Sequence, residues 1–399
     1  MRYPIIFTIL GLGLLLTSCE KDNAKTVTAP LTYEFLRGGE TTVSFSGQTT
    51  RIAMATELNS ALVDKDKSAE QLIEMYSNMT VDGEDANPFN DTDLNNSTKS
   101  IKSKVAASAD FFSMNTVESS KIKADIESWI IKQVSEVFPQ SNQLAAAGVF
   151  GQIADGSTPR YVNGKGLEYN QAVNKSLIGA LMVDQISNNY LSTAVLDAGT
   201  QLEENNDEVL KEGKSYTTME HKWDEAYGYL FGASANPAQP LLTLGDDSFL
   251  NKYLDRVDSD EDFAGIALEV YNAFKLGRAA IVEHDYELRD QQAELIKKRL
   301  AEVIAIRAVH YLQIGKIALA AGDYGGAFHD LSEGFGFIYS LKFVKRPGST
   351  QALYTSDEID GFLNQLMEGN GFWDVTDVTL DSLSEEISSH FDFTVSQTL

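Results

Sequence analysis

The sequence predicts an all-α fold, a helical bundle with a short N-terminal β-hairpin. Three observations carry that expectation. Apolar residues recur at helical spacing through most of the chain. The prolines at 30, 88, 139, 159, 237, 240 and 347 all fall between the periodic segments and never inside them. Alternating, β-branched character is confined to one stretch near residue 40.

Residues 1–18 read as a lipoprotein signal peptide. Arg2 precedes an apolar run from Ile5 to Leu16, and Thr17-Ser18 lead into Cys19. The run is about 12 residues long, whereas crossing a bilayer takes about 20. Small residues ahead of a thiol allow cleavage just before a lipidated cysteine. Cys19 is the single cysteine, so it is the expected lipidation site and no structural disulfide can form. Each buried methylene contributes about 0.8 kcal/mol, so a diacylglycerol plus an amide-linked chain makes a lasting membrane anchor. The expectation is an outer-membrane lipoprotein on the periplasmic or surface face. Residues 19–30 would form its polar, lipidated tether, and 31–399 a helical-bundle domain with a hairpin at 33–46.

With 58 acidic against 32 basic residues the formal charge is −26. Such a surface repels phosphate backbones, so nucleic acid is not an expected partner. A hydrophobic share of 43% over 399 residues suffices for a large core.

The hairpin is predicted from Tyr33–Leu36, a Gly38-Gly39 turn and Thr41–Phe45. A lone hairpin is marginal and must lie against the body. Helices are predicted at roughly 50–64, 68–79, 98–113, 119–137, 168–195, 202–211, 217–232, 262–283, 286–321, 324–343, 356–368 and 377–390. The longest, 286–321, spans about 54 Å and carries its apolar residues at helical spacing, the pattern of a buried central helix. Residues 308–343 look like one tetratricopeptide hairpin, but a single copy reads as a generic helical pair with a Gly322-Asp323 turn. Residues 80–97 and the Gly-rich 139–167 read as long loops.

His-Glu-x-x-His, Gly-x-Ser-x-Gly, Cys-x-x-Cys and Walker signatures are absent, which removes support for the common hydrolase, redox and NTPase readings. Candidate ligand-binding residues therefore come from polar groups within helices. His221, Asp224 and Glu225 fall within one helical turn, beside an aromatic i,i+4 pair, Trp223 and Tyr227. They form a ligand or metal site on an inner face, or core aromatics edged by solvated charge. Glu283-His284-Asp285-Tyr286-Glu287 offers His284 and Glu287 as ligands if the turn is helical; it also reads as a solvated turn between helices. Arg307 and His310 lie i,i+3 among aliphatic residues, where a buried arginine needs an anionic partner. Asp184 is a candidate for that role. The calcium-like runs at Asp91-x-Asp93-x-Asn95 and Asp258-x-Asp260-x-Asp262 lack the turn glycine.

The stretches Ser44–Leu58, His221–Tyr229 and Ala305–Leu312 together resemble an uncharacterised family of Bacteroidetes lipoproteins of this length, a domain of unknown function similar to imelysin-like proteins. That resemblance implies an imelysin-like helical bundle in the cell envelope, associated with iron uptake. His284 and Glu287 match the end of the imelysin Gly-x-His-x-x-Glu motif, with Val282 at the glycine position. It implies non-catalytic binding of a ligand or partner, with iron, haem or zinc as candidates and outer-membrane uptake components as partners. Two alternatives follow. An imelysin-like metallopeptidase requires His221, Glu225, His284 and Glu287 to converge. A SusD-like glycan-binding lipoprotein requires exposed aromatics such as Trp129 or Trp373.

Overall fold

A computed structural model describes residues 26–399. The signal peptide, Cys19 and most of the tether lie outside the described residues.

The expected hairpin is present but short: β1 (Leu36–Arg37) pairs antiparallel with β2 (Glu40–Thr41). Gly38 and Gly39 both take positive φ, which a two-residue hairpin turn requires. Helices of nine residues or more are α1 (Ser46–Ala61), α2 (Ala69–Ser77), α3 (Thr116–Lys132), α4 (Tyr169–Leu177), α5 (Thr218–Phe231) and α6 (Leu250–Asp258). They continue with α7 (Ile266–Val282), α8 (Tyr286–Ala320), α9 (Tyr324–Ser340), α10 (Ser356–Leu366) and α11 (Asp377–Ser388). Their starts are encoded locally. Ser68 with Gln71, Thr217 with Glu220 and Thr355 with Glu358 form reciprocal capping boxes on α2, α5 and α10. Asp285 and Asp323 cap α8 and α9.

The long helix is the axis. α7, α9 and α11 pack along α8, α4 covers α9, and α3 packs on α4. Leu300 through Val309 are buried on every side of α8, including Glu302 and Arg307. By length and hydropathy this helix could cross a membrane. Its middle instead fills the protein core, as a helix apolar on all faces does inside a large domain.

Three segments differ from the sequence expectation. Residues 98–113 are turns ending in a short helix, Ala109–Phe112, because the backbone is drawn toward a neighbour. Ala106 sits at φ 44 and gives its N–H to Ala180 O, while Ala107 and Ser108 N–H groups bind the buried Asp184 carboxylate. Asp184 is thus already engaged and is no partner for Arg307. The Gly-rich 139–167 contains a second hairpin, β3 (Gly151–Asp155) with β4 (Thr158–Val162). Its Asp155-Gly156 turn is a signal that sequence reading passed over. Finally, α4 continues into π-helical turns at Ile178–Val183 and Ile186–Tyr190.

α4 and α9 approach so closely that a Cβ on Gly179 would lie 2.5 Å from Ser340 Cα. Ser340 Oγ accepts from Gly179 N and donates to Lys175 O. Gly179→Val should therefore lower unfolding free energy by about 1–3 kcal/mol through overpacking. Urea denaturation measures this, and an unchanged midpoint would show that the helices can separate without cost.

Candidate functional site

Along α5 the residues singled out by the sequence divide between two faces. Trp223, Asp224 and Tyr227 point into the core and are fully buried. Trp223 gives its indole N–H to Phe274 O. Tyr227 stacks on Tyr33 at 3.6 Å. Asp224 Oδ1 accepts from Arg278 Nε at 3.1 Å and from Tyr33 OH at 2.8 Å. Arg278, itself fully buried, also donates from Nη1 to Glu220 at 3.0 Å and from Nη2 to Thr42 Oγ1. Arg37 donates two hydrogen bonds to Glu220. These three expected ligand residues are corrected to structural ones, since every polar atom they bring is engaged by the protein. Removing Arg278 would leave the buried Asp224 carboxylate without a cation, and Glu220 with Arg37 alone. Arg278→Met should cost about 3–5 kcal/mol of stability in chemical denaturation; a loss below about 1 kcal/mol would show that the cluster does not hold the hairpin.

His284 and Glu287 are exposed, and His284 takes φ 61 in the turn between α7 and α8. His284 lies in the connection and Glu287 in the first turn of α8, so the two do not share a helical face. Among the described residues no group of three or more His, Cys, Asp and Glu side chains is arranged to hold a metal ion. His221, Glu225, His284 and Glu287 accordingly do not form one centre. The calcium-like runs serve as caps: Asp258 accepts from Gly265 and Ala267 N–H groups, and Asp91 caps Thr92–Asn95. Trp129 and Trp373 are half-buried and engaged by Phe335 and Tyr339, and by Tyr324 and Phe328, respectively.

Two expected residues do share a concave site. Arg307 and His310, one turn apart on α8, line a pocket of about 460 Å³ with Tyr311. α6 and the turn after it contribute Lys252, Arg256 and Asp260, and α9 contributes His329, Asp330 and Glu333. The C-terminal turn adds Thr398, whose carbonyl bonds His310 Nδ1. The Arg307 guanidinium packs over the Tyr311 ring at 4.5 Å. It is 8% exposed, and its buried Nε has no hydrogen-bond partner. Burial, reinforced by the Arg307 charge, pushes the His310 pKa down to about 4.

Beside Arg307 the polar groups are mutually satisfied. Lys175 Nζ lies 3.3 Å from Glu333, Tyr253 OH donates to Glu333, and His329 bridges Glu333 and Glu168. Burial would raise Glu333, but Lys175 and His329 outweigh it and hold its pKa at about 2. Burial also works against protonated His329, yet Glu168 and Glu333 raise its pKa above the usual 6.5. Burial lifts Asp330 to about 6. Sequence reading did not weigh His329 and Glu333, although their i,i+4 spacing on α9 was visible. It also missed α6, whose Leu250, Tyr253, Leu254 and Val257 mark one helical stripe.

The opposing shifts set a pH window. Glu333 is depressed, so its contribution is present above about 4.5, its unfolded value, and is lost as pH falls toward about 2. His329 is raised, so its contribution is full below about 6.5 and is lost as pH climbs through its folded pKa. His329→Gln should flatten the stability decline above pH 6.5 and weaken the acid limb only in part, since Lys175 is the larger cause of the Glu333 depression; Glu333→Gln should flatten the acid limb and keep the part of the decline that Glu168 causes. Denaturation midpoints between pH 3 and 8.5 measure both, and parallel profiles for both variants and the parent would contradict the assignment.

His221 and Glu225, on the other face of α5, line a separate pocket of about 330 Å³. Glu225 accepts from Lys222 and Gln48, and its pKa stays below the usual value because Lys222 outweighs burial. His221 stacks on Tyr216 at 4.7 Å, and burial lowers its pKa.

No curated protein and no solved structure matches the sequence. One family model does, across residues 30–394, a span that holds both pockets apart from Thr398. The chain belongs to that family, a domain of unknown function designated DUF4856.

Proposed function

We propose that this protein is a lipid-anchored, non-catalytic envelope protein that captures a small anionic ligand of iron acquisition, haem or an iron chelate, in the Arg307 pocket. One observation carries the reading. Arg307 is a buried cation with no carboxylate partner and an unsatisfied Nε, opening onto a cavity large enough for a small molecule. An uncompensated buried guanidinium is costly, and an anionic group from a ligand removes that cost.

His310 adds a second recognition element. Its Nδ1 donates to Thr398 O, which leaves Nε2 with its lone pair, and its depressed pKa keeps it neutral at pH 7. A neutral imidazole oriented by a backbone carbonyl is the form that binds a metal centre. A haem presents carboxylates suited to Arg307 and an iron suited to His310. The resemblance to imelysin-like proteins and the signal sequence ending at Cys19 support the same setting, an outer-membrane lipoprotein working with uptake components.

Titrating the full chain with haemin tests this. The expected result is saturable binding with a shifted Soret band. His310→Ala should abolish the shift, and Arg307→Met should weaken binding about tenfold while keeping the spectrum. No spectral change at saturating haemin would eliminate haem. Failure of a small carboxylate iron chelate to raise the melting temperature would then eliminate the ligand-capture reading at this pocket.

A further inference from the structure

The second pocket has a charge that the rest of the chain does not. In a protein of formal charge −26, its walls carry Arg51, Lys99, Lys104 and Lys214, with Glu225 as the one acid among its lining residues. Glu225 is already taken by Lys222. Lys99, Lys104 and Lys214 form no ion pair among the described residues, and Lys104 is placed over the Tyr190 ring. Arg51 is 6% exposed and likewise lacks a carboxylate partner. It donates from Nε to Ser100 O and from Nη1 to Gly47 O, which fixes the guanidinium in the wall.

The pocket is also built at the start of α1. Ser46, Gly47 and Gln48 line it, α1 has no side-chain cap, and its first turn has no acidic residue. Phe45 O takes the Gln48 and Thr49 N–H groups, which leaves the Ser46 and Gly47 amides for another acceptor. A helix start with free amides adds positive potential to that of the four side chains. The Lys104 pKa is lowered by burial and by the neighbouring Arg51, Lys222 and Lys99 charges. Glu225, the one acid near these like charges, opposes that shift only in part.

We infer that this pocket is a second binding site, independent of the Arg307 pocket, for a small ligand bearing a phosphoryl group. Three unpaired ammonium groups, a fixed guanidinium and free amides match a compact dianion better than a single carboxylate. A phosphate monoester carries about −1.5 to −2 at pH 7 and three strong acceptor oxygens. The volume of about 330 Å³ admits the phosphoryl group with a small organic portion against Tyr216 and His221.

The experiment is calorimetric titration of the full chain with inorganic phosphate, sulfate and a hexose phosphate at matched ionic strength, together with vesicles containing phosphatidic acid. Saturable binding of phosphate or the hexose phosphate is expected. The double variant Lys104→Met/Lys214→Met should weaken it at least about tenfold. Lys132→Met on α3, a charge change equal to that of either single substitution, should leave it intact. Binding of vesicles alone, lost in the same double variant, would assign the phosphoryl group to a lipid headgroup. Phosphate and its ester binding no better than chloride, with vesicles unbound, would overturn the inference; so would equal weakening by Lys132→Met, or sulfate binding without phosphate. Haemin titration of the double variant reports separately on the Arg307 pocket and should be unchanged.

Discussion

The arrangement of this protein depends on a buried guanidinium. Arg278 on α7 is fully enclosed and spends its donors on Asp224, Glu220 and Thr42. Those three partners come from α5 and from the residue just after β2, segments distant in sequence. Desolvating such a group is tolerable only when its partners are complete. The cluster therefore fixes the hairpin, α5 and α7 together or not at all. Tyr33, stacked on Tyr227 and bonded to Asp224, extends the same lock toward the N-terminus. With Glu220, Asp224 and Tyr227 committed inward, the adjacent edge of α5 is oriented by default. That edge carries His221 and Glu225.

The same rule separates structure from site elsewhere. Arg289, near the start of α8, is 1% exposed and is answered by Asp197 and Asp290. Arg307, further along the same helix, packs on Tyr253 and Tyr311 and forms no ion pair with the acids that share its pocket. Arg51 is held by backbone carbonyls and has no acid either. Four buried arginines thus fall into two classes, and the two without carboxylates are the two that face cavities. A purely structural role predicts no such correlation. Each uncompensated cation is a standing cost that a ligand anion can remove.

Much of the helical layout was legible because period, proline placement and capping residues agree with one another. The stretch 217–232 is bounded by Thr217 and Glu220 in the sequence and by the same capping box in the fold. Residues 98–113 misled because Ile101 and Val105 keep helical spacing, while the backbone donors are claimed by Ala180 and Asp184, groups roughly 75 residues away. Local pattern carries no information about such a distant acceptor. The site was legible by residue type but not by direction. One turn of α5 holds His221, Asp224 and Glu225, and about 100° of rotation per residue decides which of them meets solvent. The partner across the gap fixes that rotation, and Arg278 lies more than fifty residues downstream. Arg307 and His310 share a recess because i,i+3 spacing on one helix keeps both on the same face whatever packs against it.

The acidic exterior and the two recesses that hold buried arginines without ion pairs act together. A large polyanion approaches the whole surface and meets the net repulsion of a chain with 26 more acidic than basic residues. A small anion that has entered a recess lies within a few ångströms of unpaired cations. At physiological ionic strength charges farther off than about 8 Å are largely screened. Size then becomes a selection rule, since only a ligand that fits inside the recess exchanges the repulsive far field for the attractive near one. The two recesses share no lining residue: one is built on α6, α8 and α9, the other on α1, α5 and the segment around residue 100. Occupancy of one therefore changes no contact in the other, and any coupling between them must pass through the packed core that α8 and the Arg278 cluster hold rigid.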